Sequence, residues 1–151
     1  MGKEFYSHYL YLSMATYFES VNLRGFASWM RIQAKEEFEH AMKFYEHIIE
    51  RRGKVVLGTI QAPPANWKSA REVFEDAFEH EKKVTESIHK ILDTARAGKE
   101  YATEVFLQWF VKEQVEEEGS TSEILDKLKL AGRETSALFV LDAELGKRPS
   151  K

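Results

Sequence analysis

A glutamate and a histidine one helical turn apart lie within an otherwise largely apolar helical row. Read in alternating steps of three and four residues, the row is Met30, Gln33, Glu37, His40, Phe44 and His47. Met30 and Phe44 indicate that this row faces the interior, so Glu37 and His40 are predicted to point inward. Because desolvating a carboxylate costs several kcal/mol unless its charge is compensated, we interpret the pair as part of a cation site.

The other long helical patterns also carry acid or amide groups in their core-facing rows. The first helix contributes Glu4; the third row is Phe74, Ala77, Glu81, Val84, Ile88, Ile91 and Ala95; the fourth is Leu107, Phe110, Gln114, Glu117, Thr121, Ile124 and Leu128. Two divalent cations would neutralise four inward glutamates, which predicts a dinuclear site. Glu37, one turn from His40, is the natural bridging ligand. Oxygen ligands with a single imidazole favour iron or manganese.

Composition excludes several classes of protein. The chain has no cysteine, which excludes disulfides, thiolate catalysis and cysteine-based metal sites. With 25 acidic and 22 basic residues the net charge is -3, and no basic run suits a nucleic-acid backbone. No segment predicts a signal peptide or a membrane span. We therefore expect a cytoplasmic protein that binds neither nucleic acid nor membranes.

The elements that would position these groups are four long helices and one short one. The patterns predict helices over Glu4–Ser20, from Phe26 to about Arg52, from the capping box at Ser69 to Ala97, from about Tyr101 to Leu130, and over Thr135–Leu145. On the first helix, one row (Phe5, Tyr9, Leu12, Thr16) and its neighbour (Glu4, Tyr11, Met14, Phe18) predict coverage on two sides. Residues 53–67 lose periodicity and include Pro63-Pro64. The predicted fold is an all-α four-helix bundle in a single domain, 1–151, with a long crossover between helices two and three.

The metal-ligand pattern departs from the full pattern of four-helix di-iron proteins. Those proteins take one Glu from each of two helices and Glu-x-x-His from each of the other two. Here Glu37-x-x-His40 is present, but the fourth helix reads Glu117-Glu118-Gly119-Ser120 and lacks the second histidine. The second metal would have carboxylates and the Gln114 oxygen. We expect a weaker, more exchangeable site, which suits iron storage better than a permanent cofactor.

Four segments together resemble a non-haem bacterial or archaeal ferritin, over nearly the whole chain. They are Glu4-Phe5-Tyr6-Ser7, Lys35-Glu36-Glu37-Phe38-Glu39-His40, His80-Glu81 and Trp109-Phe110-Val111-Lys112-Glu113-Gln114-Val115-Glu116-Glu117-Glu118. The resemblance implies a ferroxidase centre in which Glu4, Glu37 and His40 bind one iron and Glu37, Glu81 and Glu117 bind the other, with Gln114 close by. It also implies a third iron site at Glu36, Glu113, Glu116 and Glu117.

The same resemblance implies further roles and an assembly. Fe(II) and O2 would be the substrates, and 24 subunits would form a hollow cage that stores ferric mineral. Tyr11 matches a tyrosine near the centre and Trp109 a nearby tryptophan; from its position alone we interpret Trp109 as a core residue. Haem binding is not expected, because Phe38 stands where bacterioferritins have methionine. Family members usually begin a few helical turns earlier, so fraying would weaken the hold on Glu4.

Two other interpretations remain. One is a non-storage di-iron carboxylate enzyme, a rubrerythrin-like peroxidase or a small oxidase, without the cysteine-ligated iron domain. The other is a catalytically silent bundle whose core acids are protonated or hydrogen-bonded. A cage of ferritin size and stoichiometric Fe(II) binding would separate iron storage from both.

Overall fold

Five α-helices form the regular structure of the computed structural model, which describes residues 1–149. They are α1 (Gly2–Ser20), α2 (Arg24–Glu50), α3 (Ala70–Ala97), α4 (Tyr101–Ala131) and α5 (Thr135–Leu145). These bounds agree with the predicted helices within about two residues. Residues 150 and 151, the end of the predicted domain, lie outside the described residues.

The described chain consists of two compact units. Residues 1–70 and 131–149 form the first unit, and residues 71–130 form the second. The single domain over residues 1–151 stays a prediction. Within the described residues, none of the helices is both long enough and apolar enough to cross a membrane.

A tight turn joins α1 to α2 in the first unit. Asn22 adopts a left-handed backbone with φ of 60°, and the Leu23 amide donates to the Phe18 carbonyl at 3.0 Å. The rings of Phe18 and Phe26 then stack with centroids 4.9 Å apart. The predicted start of the second helix at Phe26 is two residues late, because Arg24 and Gly25 already belong to α2.

Only one face of α1 is buried within the subunit. Its buried residues are Glu4, Ser7, Leu10, Tyr11, Met14, Ala15 and Phe18. In the neighbouring row, Tyr9 is 49% exposed and Leu12 is 40% exposed. The prediction that both rows are covered is wrong for the single chain, because apolar residues on a helix do not reveal whether their cover lies within the same subunit.

Helix α5 packs on the start of α2. The Asp142 carboxylate of α5 accepts a hydrogen bond from the Phe26 backbone amide at 3.0 Å. It thereby satisfies one of the free amides in the first turn of α2, where the N-cap residue Leu23 makes no side-chain cap. Gly25 allows the close approach, since a Cβ there would lie 1.7 Å from the Asp142 carbonyl oxygen.

The connection between α2 and α3 runs along α1, as the predicted crossover requires. After α2 the chain reverses at Arg52, with φ of 57°. Farther along, the Ser13 hydroxyl of α1 donates to the Pro64 carbonyl at 2.6 Å. The Trp67 ring meets Tyr17 edge-on with centroids 5.6 Å apart. These contacts attach the crossover to α1.

The second unit is an antiparallel pair formed by α3 and α4. The predicted row on α4 is correct, with Leu107, Phe110, Gln114, Glu117, Thr121, Ile124 and Leu128 all buried. On α3 every member of the predicted row is buried except Ile91, which is 43% exposed, while its neighbour Leu92 is buried. A row read at 3.5 residues per turn drifts against a helix of 3.6, so a single position can be assigned one residue too early.

Candidate metal centre

Three buried side chains of the first unit converge on one point, and we call them the first cluster: Glu4 of α1, and Glu37 and His40 of α2. One ligand atom from each lies within 4.8 Å of the others. Glu37 Oε2 lies 3.5 Å from His40 Nδ1. Helical spacing on α2 puts Glu37 and His40 on adjacent turns of one face, and α1 brings in Glu4.

The Glu4 carboxyl of the first cluster is almost completely buried. Burial raises the pKa of Glu4 above its ordinary value; the amino terminus, His40 and a hydrogen bond with Glu37 act in the opposite direction. Its Oε2 atom is buried and has no hydrogen-bond donor. α1 begins at Gly2, so Glu4 lies in its first turn. A cation would fit this set of two carboxylates and one imidazole.

Gln33 and Arg148 support the first cluster from behind. The Gln33 amide nitrogen donates to Glu37 Oε1 at 3.0 Å. The Gln33 amide oxygen in turn accepts from Arg148 Nη1 at 2.9 Å. Arg148 therefore fixes which end of the amide faces Glu37, and Glu37 keeps Oε2 toward His40.

Glu36, a predicted ligand of the third iron site, is also held by Arg148. Arg148 Nη2 donates to Glu36 Oε2 at 2.5 Å. The Arg148 guanidinium lies over the Trp29 ring, 4.4 Å from its centroid. Glu36 Oε1 is buried and has no hydrogen-bond partner. One guanidinium thus contacts Glu36 directly and reaches Glu37 through Gln33.

A second set of polar side chains lies between α3 and α4, and we call Glu81, Thr85 and Gln114 the second cluster. The Gln114 amide nitrogen lies 3.1 Å from Glu81 Oε2 and 3.2 Å from Thr85 Oγ1. The same nitrogen is 3.2 Å from the Glu81 carbonyl. Gln114 thus donates a hydrogen bond to the Glu81 carboxylate and thereby fixes its orientation.

The remaining predicted ligands lie along α4. Glu117 is buried one turn after Gln114, and the Thr121 hydroxyl donates to its carbonyl at 2.8 Å. Glu113 is half-buried and Glu116 is exposed. Glu118 is half-buried and accepts a hydrogen bond from Thr85 at 2.6 Å.

The structure therefore assembles the predicted residues in two groups, one in each unit. The first unit brings together Glu4, Glu37 and His40, with Glu36 beside them on α2. The second joins Glu81 to Gln114 and carries Glu117 on the same helix as Gln114. The completion of one dinuclear centre from both groups stays a prediction.

Sequence reasoning missed Arg148 and the supporting role of Gln33. Gln33 precedes Glu37 by one helical turn in the inward row, which is a signal that it could contact that carboxylate. Nothing local predicts Arg148, because the contact to Glu36 spans 112 positions of the chain.

Two aromatic residues assigned to the surroundings of the centre differ in their environment. Tyr11 is fully buried on α1, two turns after Glu4 on the same helix. Trp109 is 40% exposed, with its ring edge-on to Phe110 at 4.8 Å between centroids. The interpretation of Trp109 as a core residue is wrong, because it lies next to the buried row on α4 rather than in it.

Comparison with known proteins agrees with this geometry. A family profile described as a ferritin-like domain matches residues 1–131. A bacterial non-haem ferritin of Bacteroides fragilis is 43% identical over 148 residues, covering 98% of this chain and 92% of that protein. A probable bacterial non-haem ferritin-like protein of Haemophilus influenzae is 38% identical over 151 residues, covering 100% of this chain and 92% of that protein.

Solved structures give the same result for the fold. The open-pore ferritin of Archaeoglobus fulgidus is 49% identical and has a TM-score of 0.97, covering 98% of this chain and 91% of that one. A closed form engineered from the ferritin of that organism is 48% identical with a TM-score of 0.98, covering 99% of this chain and 92% of that one. This likeness confirms the predicted four-helix bundle with its short fifth helix.

Proposed function

Since the chain belongs to the ferritin-like family, we propose that it oxidises Fe(II) with O2 at a dinuclear centre and stores the ferric product in an oligomeric cage. Relatives that are named as non-haem ferritins support the iron chemistry. They favour storage over a rubrerythrin-like peroxidase or oxidase. Iron is therefore both the substrate and the cargo. The cage would consist of 24 subunits and would lie in the cytoplasm.

The observation that carries the proposal is the electrostatic state of the first cluster. Glu4 and Glu37 are buried beside His40, and a Glu4 oxygen has no donor. Burying an acid without a partner destabilises a fold unless the acid is neutralised. A divalent cation would neutralise both carboxylates at once, and a carboxylate–imidazole set suits Fe(II).

The second iron would be held by Glu81 and Glu117, with Glu37 shared between the two ions. Two metals bridged by a carboxylate in this way lie about 3.5–4 Å apart. In the second cluster Gln114 donates to Glu81, which supports a role in holding that carboxylate in place. The absence of a second imidazole from the ligand set favours weaker binding and hence onward transfer of the iron.

The chemistry requires each ion to give up one electron. Two Fe(II) ions supply two electrons to O2, which with two protons becomes H2O2, and both ions become Fe(III). The carboxylates of the site favour the higher charge of Fe(III). Tyr11, buried on the helix that carries Glu4, is proposed to be a catalytic residue beside the centre.

Transfer to the store would pass through the third site, at Glu36, Glu113, Glu116 and Glu117. Glu36 and Glu117 are buried, Glu113 is half-buried and Glu116 is exposed. Along α4 the exposure rises from Glu117 to Glu113 to Glu116, which supports a path from the interior toward the surface. A path lined by carboxylates would let a cation move outward without being held at any one high-affinity site.

Glu37→Gln provides the sharpest test of the dinuclear centre. Removal of the bridging charge should abolish rapid oxidation of the first two Fe(II) per subunit, lowering the initial rate by about 100-fold. The measurement is stopped-flow absorbance of Fe(III) formation after mixing with air-saturated buffer. Glu39→Gln is the matched control, since Glu39 is exposed on the same helix and pairs with Lys35 at 3.5 Å. An unchanged initial rate in Glu37→Gln would contradict the assignment.

A further inference from the structure

Arg148 follows α5 in the described chain and reaches a buried carboxylate on α2. Its guanidinium donates to Glu36 Oε2 at 2.5 Å and to Gln33 at 2.9 Å. It also lies over the Trp29 ring at 4.4 Å. The arginine side chain is 19% exposed and that of Glu36 is 8% exposed. The pair therefore lies at the edge of the interior, and Arg148 is the more solvent-exposed of the two residues.

Glu36 remains only half satisfied by this partner. Its second oxygen, Oε1, is buried and has no hydrogen-bond donor. A carboxylate that served only to hold Arg148 would gain from donors on both oxygens. Glu37, the next residue along α2, adds a second inward negative charge. Glu36 Oε1 is therefore able to bind a further cation, while Arg148 already balances part of the charge of this carboxylate.

We propose that Arg148 is an internal competitor for iron at Glu36, which keeps the third iron site weak. The inference rests on the third site of the proposed function and adds the residue that regulates it. When Fe(II) arrives, it binds the Glu36 oxygens and the guanidinium moves away, still able to lie over Trp29. When the ion leaves, Arg148 returns to Glu36 Oε2.

The exchange makes physical sense because the two cations repel each other. A guanidinium and a divalent ion a few ångströms apart repel each other, and this repulsion is stronger near the protein interior than in bulk water. The ion therefore binds at Glu36 only at the expense of the arginine contact. A site of this kind passes iron onward instead of retaining it.

Arg148→Ala tests the competition directly. Co(II), which does not react with O2 as Fe(II) does, is titrated by calorimetry into metal-free wild type, Arg148→Ala and Arg148→Lys. The same titrations in a Glu36→Gln background isolate the part of binding that depends on Glu36. Lys147→Ala is the matched control, because it removes one positive charge from an exposed neighbouring position.

We expect the Glu36-dependent affinity to rise on the order of tenfold in Arg148→Ala. Arg148→Lys should lie between it and wild type, because an ammonium group is a point charge without the bidentate geometry of arginine. Lys147→Ala should match wild type. The effect of Arg148→Ala should disappear in the Glu36→Gln background. Equal or weaker Glu36-dependent binding in Arg148→Ala would overturn the proposal.

The readout separates this inference from the proposed function. If wild type bound no Co(II) tightly, the result would contradict the dinuclear centre, while the Glu36-dependent difference could still be measured. Tight binding at the centre without any Glu36-dependent difference would overturn the role of Arg148 alone. Size-exclusion chromatography of each variant checks that the assembly is the same in every titration.

Discussion

The first cluster keeps a buried carboxylate oxygen without a donor, whereas the Glu81 carboxylate of the second cluster accepts a hydrogen bond from the Gln114 amide. Glu4 Oε2 has no partner, while Glu81 Oε2 accepts from Gln114. The first cluster also contains the imidazole of His40. The difference indicates that the first cluster depends more on a cation, and that the second is held in place by the protein itself.

The largest effect is expected from His40→Ala, which removes the single imidazole of the first cluster. Loss of a direct ligand should weaken the tighter metal-binding step by about 100-fold or more, a larger loss than that caused by removing a supporting residue. Calorimetry with Co(II) measures it. His89→Ala is a control, because His89 is exposed on α3. If His40→Ala and wild type bound Co(II) with equal affinity, the claim that the first cluster depends more on a cation than the second would be wrong.

Gln33→Leu and Gln114→Leu form a matched pair that compares the clusters directly. Each amide donates to one carboxylate, Gln33 to Glu37 and Gln114 to Glu81. Loss of such a supporting hydrogen bond typically costs 10- to 100-fold in metal affinity. We expect Gln33→Leu to weaken the tight step and Gln114→Leu the weaker step, as measured in the same titration. The reverse pattern would contradict the division of roles.

Glu4→Gln addresses the pH dependence of the metal-free protein. Because burial raises the pKa of Glu4 above 4.5, the folded state holds that proton more tightly than the unfolded state. Its contribution to stability is present below about pH 4.5 and declines as the pH rises through the raised pKa. As the pH is raised toward neutral, the free energy of unfolding of Glu4→Gln should therefore increase by about 1 kcal/mol relative to that of wild type. Thermal unfolding at several pH values measures this difference.

Bound metal should reverse that ranking, because it requires the ionised carboxylate. With saturating Co(II), wild type should be the more stable protein. A stability difference between wild type and Glu4→Gln that does not change with pH in the metal-free state would contradict the role given to the buried acid.

The smallest effect is expected from Thr85→Val in the second cluster. The substitution keeps the shape but removes the hydroxyl that donates to Glu118 and lies 3.2 Å from the Gln114 amide nitrogen. Loss of one such hydrogen bond should lower the free energy of unfolding by about 1 kcal/mol. Chemical denaturation measures it, with the exposed Thr94→Val of the same helix as control. A large loss of metal affinity in Thr85→Val would mean that the second cluster is not held mainly by protein contacts.

Local periodicity predicts most of the fold and the inward direction of the acids. The rows on α2 and α4 place Glu37, His40, Gln114 and Glu117 in the interior because burial follows the helical repeat. The residues that neutralise or orient these acids from afar could not be predicted. Asp142 at the start of α2 and Arg148 at Glu36 make contacts across 116 and 112 positions, and no helical spacing encodes such contacts.

The exposed row on α1 marks another limit of the sequence. Tyr9 and Leu12 are apolar enough to predict burial, yet they are exposed in the single chain. Apolar residues at helical spacing indicate that a face can be covered. They do not indicate which chain covers it.

The most direct test of the central claim is to add about two Fe(II) per subunit to the metal-free protein in air. Fe(III) formation is followed by absorbance, and the product is then sized by chromatography with iron detection. The proposed function predicts oxidation much faster than in buffer alone, with the iron co-eluting in a particle of cage mass. Oxidation at the buffer rate, in a small oligomer without iron, would contradict it.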